Sequence, residues 1–307
     1  MGSDLSSYVR ERDPDVTFVD VLFGWFGASV LPFAGCMESP DGILKLRETL
    51  KRYSRYGDPT KKQWSVETFE VSATASVIVH SRQKKRLVVF MHGGGFVVGE
   101  AADDYGLELF ETIGEVDFAS VEYRLAPESP FPAAVDDCKA AVAWVLEKYA
   151  AEYDQISLAG VSAGANLALS ALTSGIHDVA LLYPFVDPRC NSESYAKHGH
   201  RAGFDDWLKW CWRVYKEGDG LLPFEGEGIV GSYPDVPMLV ATSRADPLRD
   251  EGLALVDHLR SSGVSDVKHV EGKGSHALMH AVDKAGAKRM FDAWKHDLLG
   301  LEKKDTA

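Results

Sequence analysis

His92-Gly93-Gly94-Gly95-Phe96 and, about 70 residues later, Gly160-Val161-Ser162-Ala163-Gly164 are the two most informative stretches of the chain. The second has the form of a nucleophile elbow, a sharp strand-to-helix turn that lifts a serine hydroxyl clear of a sheet edge. The first is a run of backbone donors of the kind that can hold a developing oxyanion. A G-x-S-x-G pattern alone carries little weight. Both together, in this order and each directly after an apolar run, point to acyl-ester hydrolysis.

Working outward, Arg86-Leu-Val-Val-Phe-Met91 reads as a fully buried strand leading into the first stretch. Residues 69–72 and 75–80 upstream read as short, hairpin-like strands. Further strands are expected at 117–122, 155–159, 179–183, 238–242 and 267–270. Helices are expected at 104–113, 132–149, 163–174, 250–261 and 277–298. Such alternation requires an α/β fold, with a mostly parallel central sheet and helices on both faces. Reactive groups in these sheets gather at the carboxyl ends of the strands, where both glycine stretches fall.

Residues 1 to about 60 lack strand alternation. Ser39 and Asp41 are cap candidates for a basic helix over 42–56, with Ile43, Leu44, Leu46, Leu50 and Tyr53 at helical spacing. Residues 190–237 interrupt the alternation with a helical segment at 205–215, which holds Trp207, Trp210 and Trp212, and then glycine-rich turns. The expected plan is therefore an N-terminal cap segment at 1–60, a catalytic domain at 61–189 and 238–307, and a cap insertion at 190–237. The competing reading makes the tryptophans core alone.

Composition permits this plan and narrows the partners. The chain has 307 residues, 45% of them hydrophobic and 26% charged, an ordinary balance for a globular protein. Its net charge of −13, with 33 basic against 46 acidic residues, disfavours nucleic acid and anionic membrane. Cys36, Cys138, Cys190 and Cys211 match no zinc or redox spacing. Buried or partly buried thiols in a reducing compartment are expected, and with no signal-peptide pattern the expected location is cytoplasmic. Residues 16–35 are largely apolar but contain Asp20, Pro32 and three glycines. A spanning helix wants about 20 predominantly apolar residues, so no integral membrane insertion is expected and this segment is read as a cover over an apolar pocket.

Ser162 is the candidate nucleophile, and a serine hydroxyl needs a histidine held by a carboxylate to take its proton. On a nucleophile-elbow fold the chain order is Ser, then Asp or Glu, then His. Of the histidines after Ser162, His276 lies in a short glycine-bearing loop, Glu271-Gly-Lys-Gly-Ser-His276, between the last expected strand and helix. His280 is its rival, and the His276/His280 pair lacks a third ligand for a metal. Asp246 is the candidate carboxylate, with Asp250 as the alternative; Asp250 and Glu251 read as helix-start acids. Gly93, Gly94 and Gly95, with the N–H of Ala163, are the candidate oxyanion donors, a simple flexible turn being the alternative. Losing one such donor typically costs roughly 3 kcal/mol in the transition state.

The chain resembles the hormone-sensitive-lipase-like family of α/β-hydrolase carboxylesterases. Besides the two glycine stretches it has Tyr123-Arg-Leu-Ala-Pro-Glu128 followed by Phe131-Pro-Ala-Ala134, then Asp246-Pro-Leu-Arg-Asp-Glu-Gly252 and His276, in the family's order over about residues 65 to 300. The resemblance implies an α/β-hydrolase fold with a helical cap, and Ser162, Asp246 and His276 as a triad. It implies Gly93 to Gly95 with Ala163 as the oxyanion hole, and 123–128 as a structural element beside the site. The chain departs from the family at Val161, where Asp is frequent, and at Ala165, where Gly is frequent. Phe96, Val161, Phe26 and Trp207 are the candidate pocket residues. The expected activity is cofactor-independent hydrolysis of short- to medium-chain acyl or small aryl esters. Amide chemistry (a deacetylase or formamidase) and a non-catalytic small-ligand receptor are the alternatives, and a homodimer stays open.

Overall fold

The computed structural model describes residues 37, 39–54, 64–101, 109, 112–199, 204–216, 224–225, 228–229, 233–277 and 283–301. Eight strands make one sheet: β1 (Ser65–Glu70), β2 (Ser76–Ser81), β3 (Arg86–Met91), β4 (Asp117–Glu122), β5 (Gln155–Val161), β6 (Val179–Leu182), β7 (Met238–Ser243) and β8 (Val267–Gly272). Their spatial order is β1-β2-β4-β3-β5-β6-β7-β8. The β1–β2 and β2–β4 pairs are antiparallel. All later pairs are parallel, which is what helical crossovers between successive strands impose. This is the α/β-hydrolase arrangement.

Strand β3 shows why the sheet is central. Leu87, Val89 and Met91 enter one apolar core while Val88 and Phe90 enter the other, so the period of two buries the whole run. Helices α2 (Ala133–Tyr149), α3 (Ala163–Ser170) and α5 (Arg249–Ser261) contribute to the first core. Helix α6 (Lys284–Asp292) and the π-helical turn Ala293–Leu298 cover the other face with Met290, Trp294 and Leu298. Before the sheet stands α1 (Pro40–Ser54), which buries Ile43 and Leu46. Helix α4 (Phe204–Tyr215) lies in the stretch between β6 and β7.

Several boundaries differ from expectation for local reasons. The strand expected at 69–72 is β1 at Ser65–Glu70. It stops because the Ser72 hydroxyl accepts from the N–H groups of Thr74 and Ala75 and closes a turn. The helix expected at 163–174 ends at Ser170. The long C-terminal helix expected from 277 is described only from Lys284, where Asp283 caps Gly286 N at 2.9 Å. Of the expected 104–113 helix, only 109, 112 and 113 lie within the described residues.

No described helix is long and apolar enough to cross a membrane; the 16–35 segment lies outside the described residues. Cys138, Cys190 and Cys211 are buried free thiols.

Candidate active site

The elbow is forced by contact between backbones. A side chain at Gly160 would run into the Gly164 carbonyl, and one at Gly164 into the Met91 and His92 carbonyls of the neighbouring strand. Only glycine lets β5 turn into α3 this tightly. Ser162 between them takes φ 56° and ψ −119°, a conformation that costs on the order of 1–3 kcal/mol and persists only where its surroundings fix it. They do so by backbone hydrogen bonds: Ser162 N donates to Leu182 O at 2.8 Å, and Phe185 N and Ala165 N donate to Ser162 O at 3.1 and 3.0 Å.

Two loops bring the partners in. Beyond the β7–β8 pair the chains stay joined, with Arg244 N donating to Gly272 O and Ala245 N to Gly274 O. Asp246 and His276 therefore emerge side by side. His276 Nδ1 lies 2.8 Å from Asp246 Oδ2, and His276 Nε2 lies 3.0 Å from Ser162 Oγ. Asp246 is 1% exposed, and its second oxygen accepts from Leu248 N at 2.9 Å, which locks the carboxylate plane. With Nδ1–H donating to Asp246, Nε2 faces the hydroxyl as an acceptor.

Asp250, the alternative carboxylate, is engaged elsewhere: it accepts from Ser194 N at 2.8 Å and from Arg249 at 3.0 Å. His280, the alternative base, lies outside the described residues. Among the described residues no group of histidine, cysteine, aspartate and glutamate is arranged to hold a metal.

Gly93 lies against the elbow: a Cβ built there would sit 3.4 Å from Ser162 Cβ. Gly94 and Gly95 have φ of +111° and +63°. Ala163 opens α3, whose first-turn N–H groups have no intrahelical acceptor. Backbone donors from two directions thus border the serine. His92 braces the turn from below, its Nδ1 at 2.8 Å from Gly93 O. It stacks on Tyr123, whose hydroxyl donates to His92 O at 2.8 Å. Burial pushes the His92 imidazole down to about 4, so it stays neutral near pH 7.

Ser162 and His276 border a cavity of about 870 Å³. Val161, Leu125, Phe204 and Trp207 supply apolar wall, and α1 adds Leu44 and Leu50. Phe26 lies outside the described residues. Phe96 is a correction: it is fully buried, stacked on Tyr215, and does not line this cavity. Its left-handed backbone, φ 66°, turns the ring into the core instead. The two readings of the tryptophans meet in one helix, since Trp207 faces the cavity while Trp212 packs against Phe96 and Phe185.

Two residues near the site were not singled out as functional by sequence. Arg47 on α1 donates to Val97 O and Ala126 O and grips both oxygens of Glu128, each at 2.8 Å. It ties the cavity wall to the 123–128 segment; nothing local to either residue signals a partner 81 positions away. Glu251, read as a helix-start acid, is 3% exposed and accepts from Val186 N and Tyr195 Oη. Burial drives its carboxyl well above the usual range.

A family model described as the α/β hydrolase fold matches residues 88–280. Esterase LipI of Mycobacterium tuberculosis is 29% identical over 242 residues, 69% of this chain and 74% of that protein. An ethyl acetate hydrolase of Pseudomonas putida is 30% identical over 189 residues, 56% of this chain and 59% of that protein. The match spans a similar share, between half and two thirds, of several other curated relatives. The crystal structure of esterase LipW from Mycobacterium marinum superposes with a TM-score of 0.75 at 24% identity, covering 94% of this chain and 97% of that one.

Proposed function

The chain belongs to the hormone-sensitive-lipase-like family of α/β hydrolases and is by that kinship a carboxylic ester hydrolase, and on that premise we propose that it acts through Ser162, His276 and Asp246 on short- to medium-chain acyl or small aryl esters. The observation that carries the proposal is the continuous hydrogen-bonded line Asp246–His276–Ser162 at the border of a mainly apolar cavity.

Ser162 Oγ attacks the ester carbonyl carbon as His276 Nε2 takes its proton. The electron pair of the C=O bond moves onto oxygen, where N–H groups of Gly93 to Gly95 and Ala163 receive it. Collapse breaks the bond to the alcohol oxygen, which leaves with the proton from His276. Water then attacks the acyl-enzyme, giving its proton to the same nitrogen, and the acid departs as Ser162 is restored. Asp246 holds the imidazole in the required tautomer and stabilises its cationic form without taking the proton.

The cavity volume, within the range usual for small-ligand sites, and its mainly apolar lining support a small apolar ester as substrate. Turnover of p-nitrophenyl acetate, butyrate, octanoate and palmitate, beside matched anilides, tests the reading. Acetate to octanoate should be hydrolysed faster than palmitate, and esters faster than anilides. Anilide turnover matching the esters would move the protein to amide chemistry.

A further inference from the structure

The oxyanion turn is held from outside the sheet. Gly94, Gly95 and Phe96 have φ of +111°, +63° and +66° in succession. Glycine takes such values freely, whereas a phenylalanine side chain opposes them. What offsets that opposition is the Phe96 ring, parallel to Tyr215 with centroids 3.9 Å and planes 5° apart. Trp212 lies 5.2 Å away.

Tyr215 and Trp212 both belong to α4, so the partner comes from the stretch between β6 and β7. The same helix presses on the turn at Gly95, where a Cβ would sit 2.6 Å from Cys211 Sγ. Tyr215 is itself fixed: its carbonyl accepts from Phe131 N at 2.8 Å, and the Phe131 ring meets it edge-on at 5.7 Å. The Tyr215 hydroxyl plays no part, for among the described residues it is buried without a hydrogen-bond partner. From the sheet side the turn has His92 Nδ1 at 2.8 Å from Gly93 O, the Phe185 ring 5.8 Å from that of Phe96, and backbone bonds from Val97 and Val98 N to Gly94 O and from Ala126 N to Phe96 O.

We infer that Phe96 and Tyr215 are positioning residues: the aromatic face of α4 sets the orientation of the Gly93–Gly95 N–H groups toward the substrate's carbonyl oxygen. The inference rests on the ester-hydrolase reading. Three glycines permit this turn but also permit many others, and the ring stack selects one. Misplaced donors still leave the cavity able to bind an ester, but they fail the charge that develops on its oxygen. The consequence falls on kcat rather than KM.

The test uses the full chain with Tyr215→Leu, Tyr215→Phe and Phe96→Gly, each assayed for kcat and KM on p-nitrophenyl butyrate and for its thermal midpoint. Tyr215→Leu should lower kcat by about 10- to 100-fold with KM within about threefold. Tyr215→Phe keeps the ring and loses only the unpartnered hydroxyl, so it should restore wild-type kcat. Phe96→Gly accepts φ near +66° without backbone strain but empties a buried ring site, so its thermal midpoint is read first; folded, it should show the same fall in kcat as Tyr215→Leu. The inference is overturned if folded Phe96→Gly keeps wild-type kcat, if its loss falls on KM alone, or if Tyr215→Phe is as impaired as Tyr215→Leu. A wild type that hydrolyses no ester and resists a fluorophosphonate probe overturns the underlying reading instead, and this inference with it.

Discussion

Two glycine turns at the carboxyl ends of neighbouring strands β3 and β5 do adjoining jobs, yet they are built on different supports. The elbow at 160–164 is fixed by the sheet: glycine against carbonyl, and three backbone hydrogen bonds to the Ser162 peptide groups. The turn at 93–96 borrows its shape from α4, through an aromatic stack and a cysteine pressed on Gly95. The placement of Ser162 is therefore a property of the sheet and its backbone. The placement of the 93–96 turn is shared with the helix that also walls the cavity.

The elbow side should break hardest. Ser162→Ala should lower kcat by at least about 10⁴-fold while leaving the thermal midpoint near wild type, measured on p-nitrophenyl butyrate. Asp246→Asn should follow at roughly 10³- to 10⁴-fold, because the tautomer is then no longer fixed. Asp250→Asn should stay within a few-fold. A larger loss at 250 than at 246 would move the carboxylate and redraw the elbow's side of the comparison.

The cavity wall should respond more mildly and in a different parameter. Arg47→Met removes the clamp from α1 to Glu128 and to the Val97 and Ala126 carbonyls, and a raised KM of about tenfold with kcat within about threefold is expected, since residues 93–96 and 160–164 themselves lose no direct contact. Equal loss in kcat would show that α1, like α4, shapes the donor turn.

The smallest effect should appear at the far end of the sheet. Asp178 precedes β6, accepts from Ser157 Oγ and is pushed up by burial to about 6. Its folded value lies above its unfolded one, so the stability it contributes is full below about pH 3.8 and is lost as pH rises through about 6. Asp178→Asn lacks that loss. Its stability relative to wild type should rise by about 2 kcal/mol between pH 4 and pH 7, read by urea denaturation, with kcat unchanged. A flat difference would mean that Asp178 is ionised throughout.

Legibility followed range. The strands came from runs such as 86–91 and 155–159, where apolar content suffices. The elbow came from the spacing of two glycines, Gly160 required by the Gly164 carbonyl four residues on and Gly164 by the Met91 and His92 carbonyls of the neighbouring strand. Asp246 and His276 were reachable because each ends a strand of one parallel sheet, which forces them to the same edge. Phe96 was misjudged as a cavity residue for the opposite reason. Its position beside the glycine turn said nothing of a ring rotated by positive φ into a stack with Tyr215.

By itself the sequence determined the alternating α/β layers, the serine on its strained turn and the order of its partners, because periodicity and backbone sterics act between residues close along the chain. Which aromatic faces the cavity and which stacks on Phe96, that Arg47 grips Glu128, and that Glu251 is buried emerged only from the packed fold. Those choices depend on how helices from distant segments settle against one sheet edge. Side chains compete there for the same space, and the outcome is written in no single stretch.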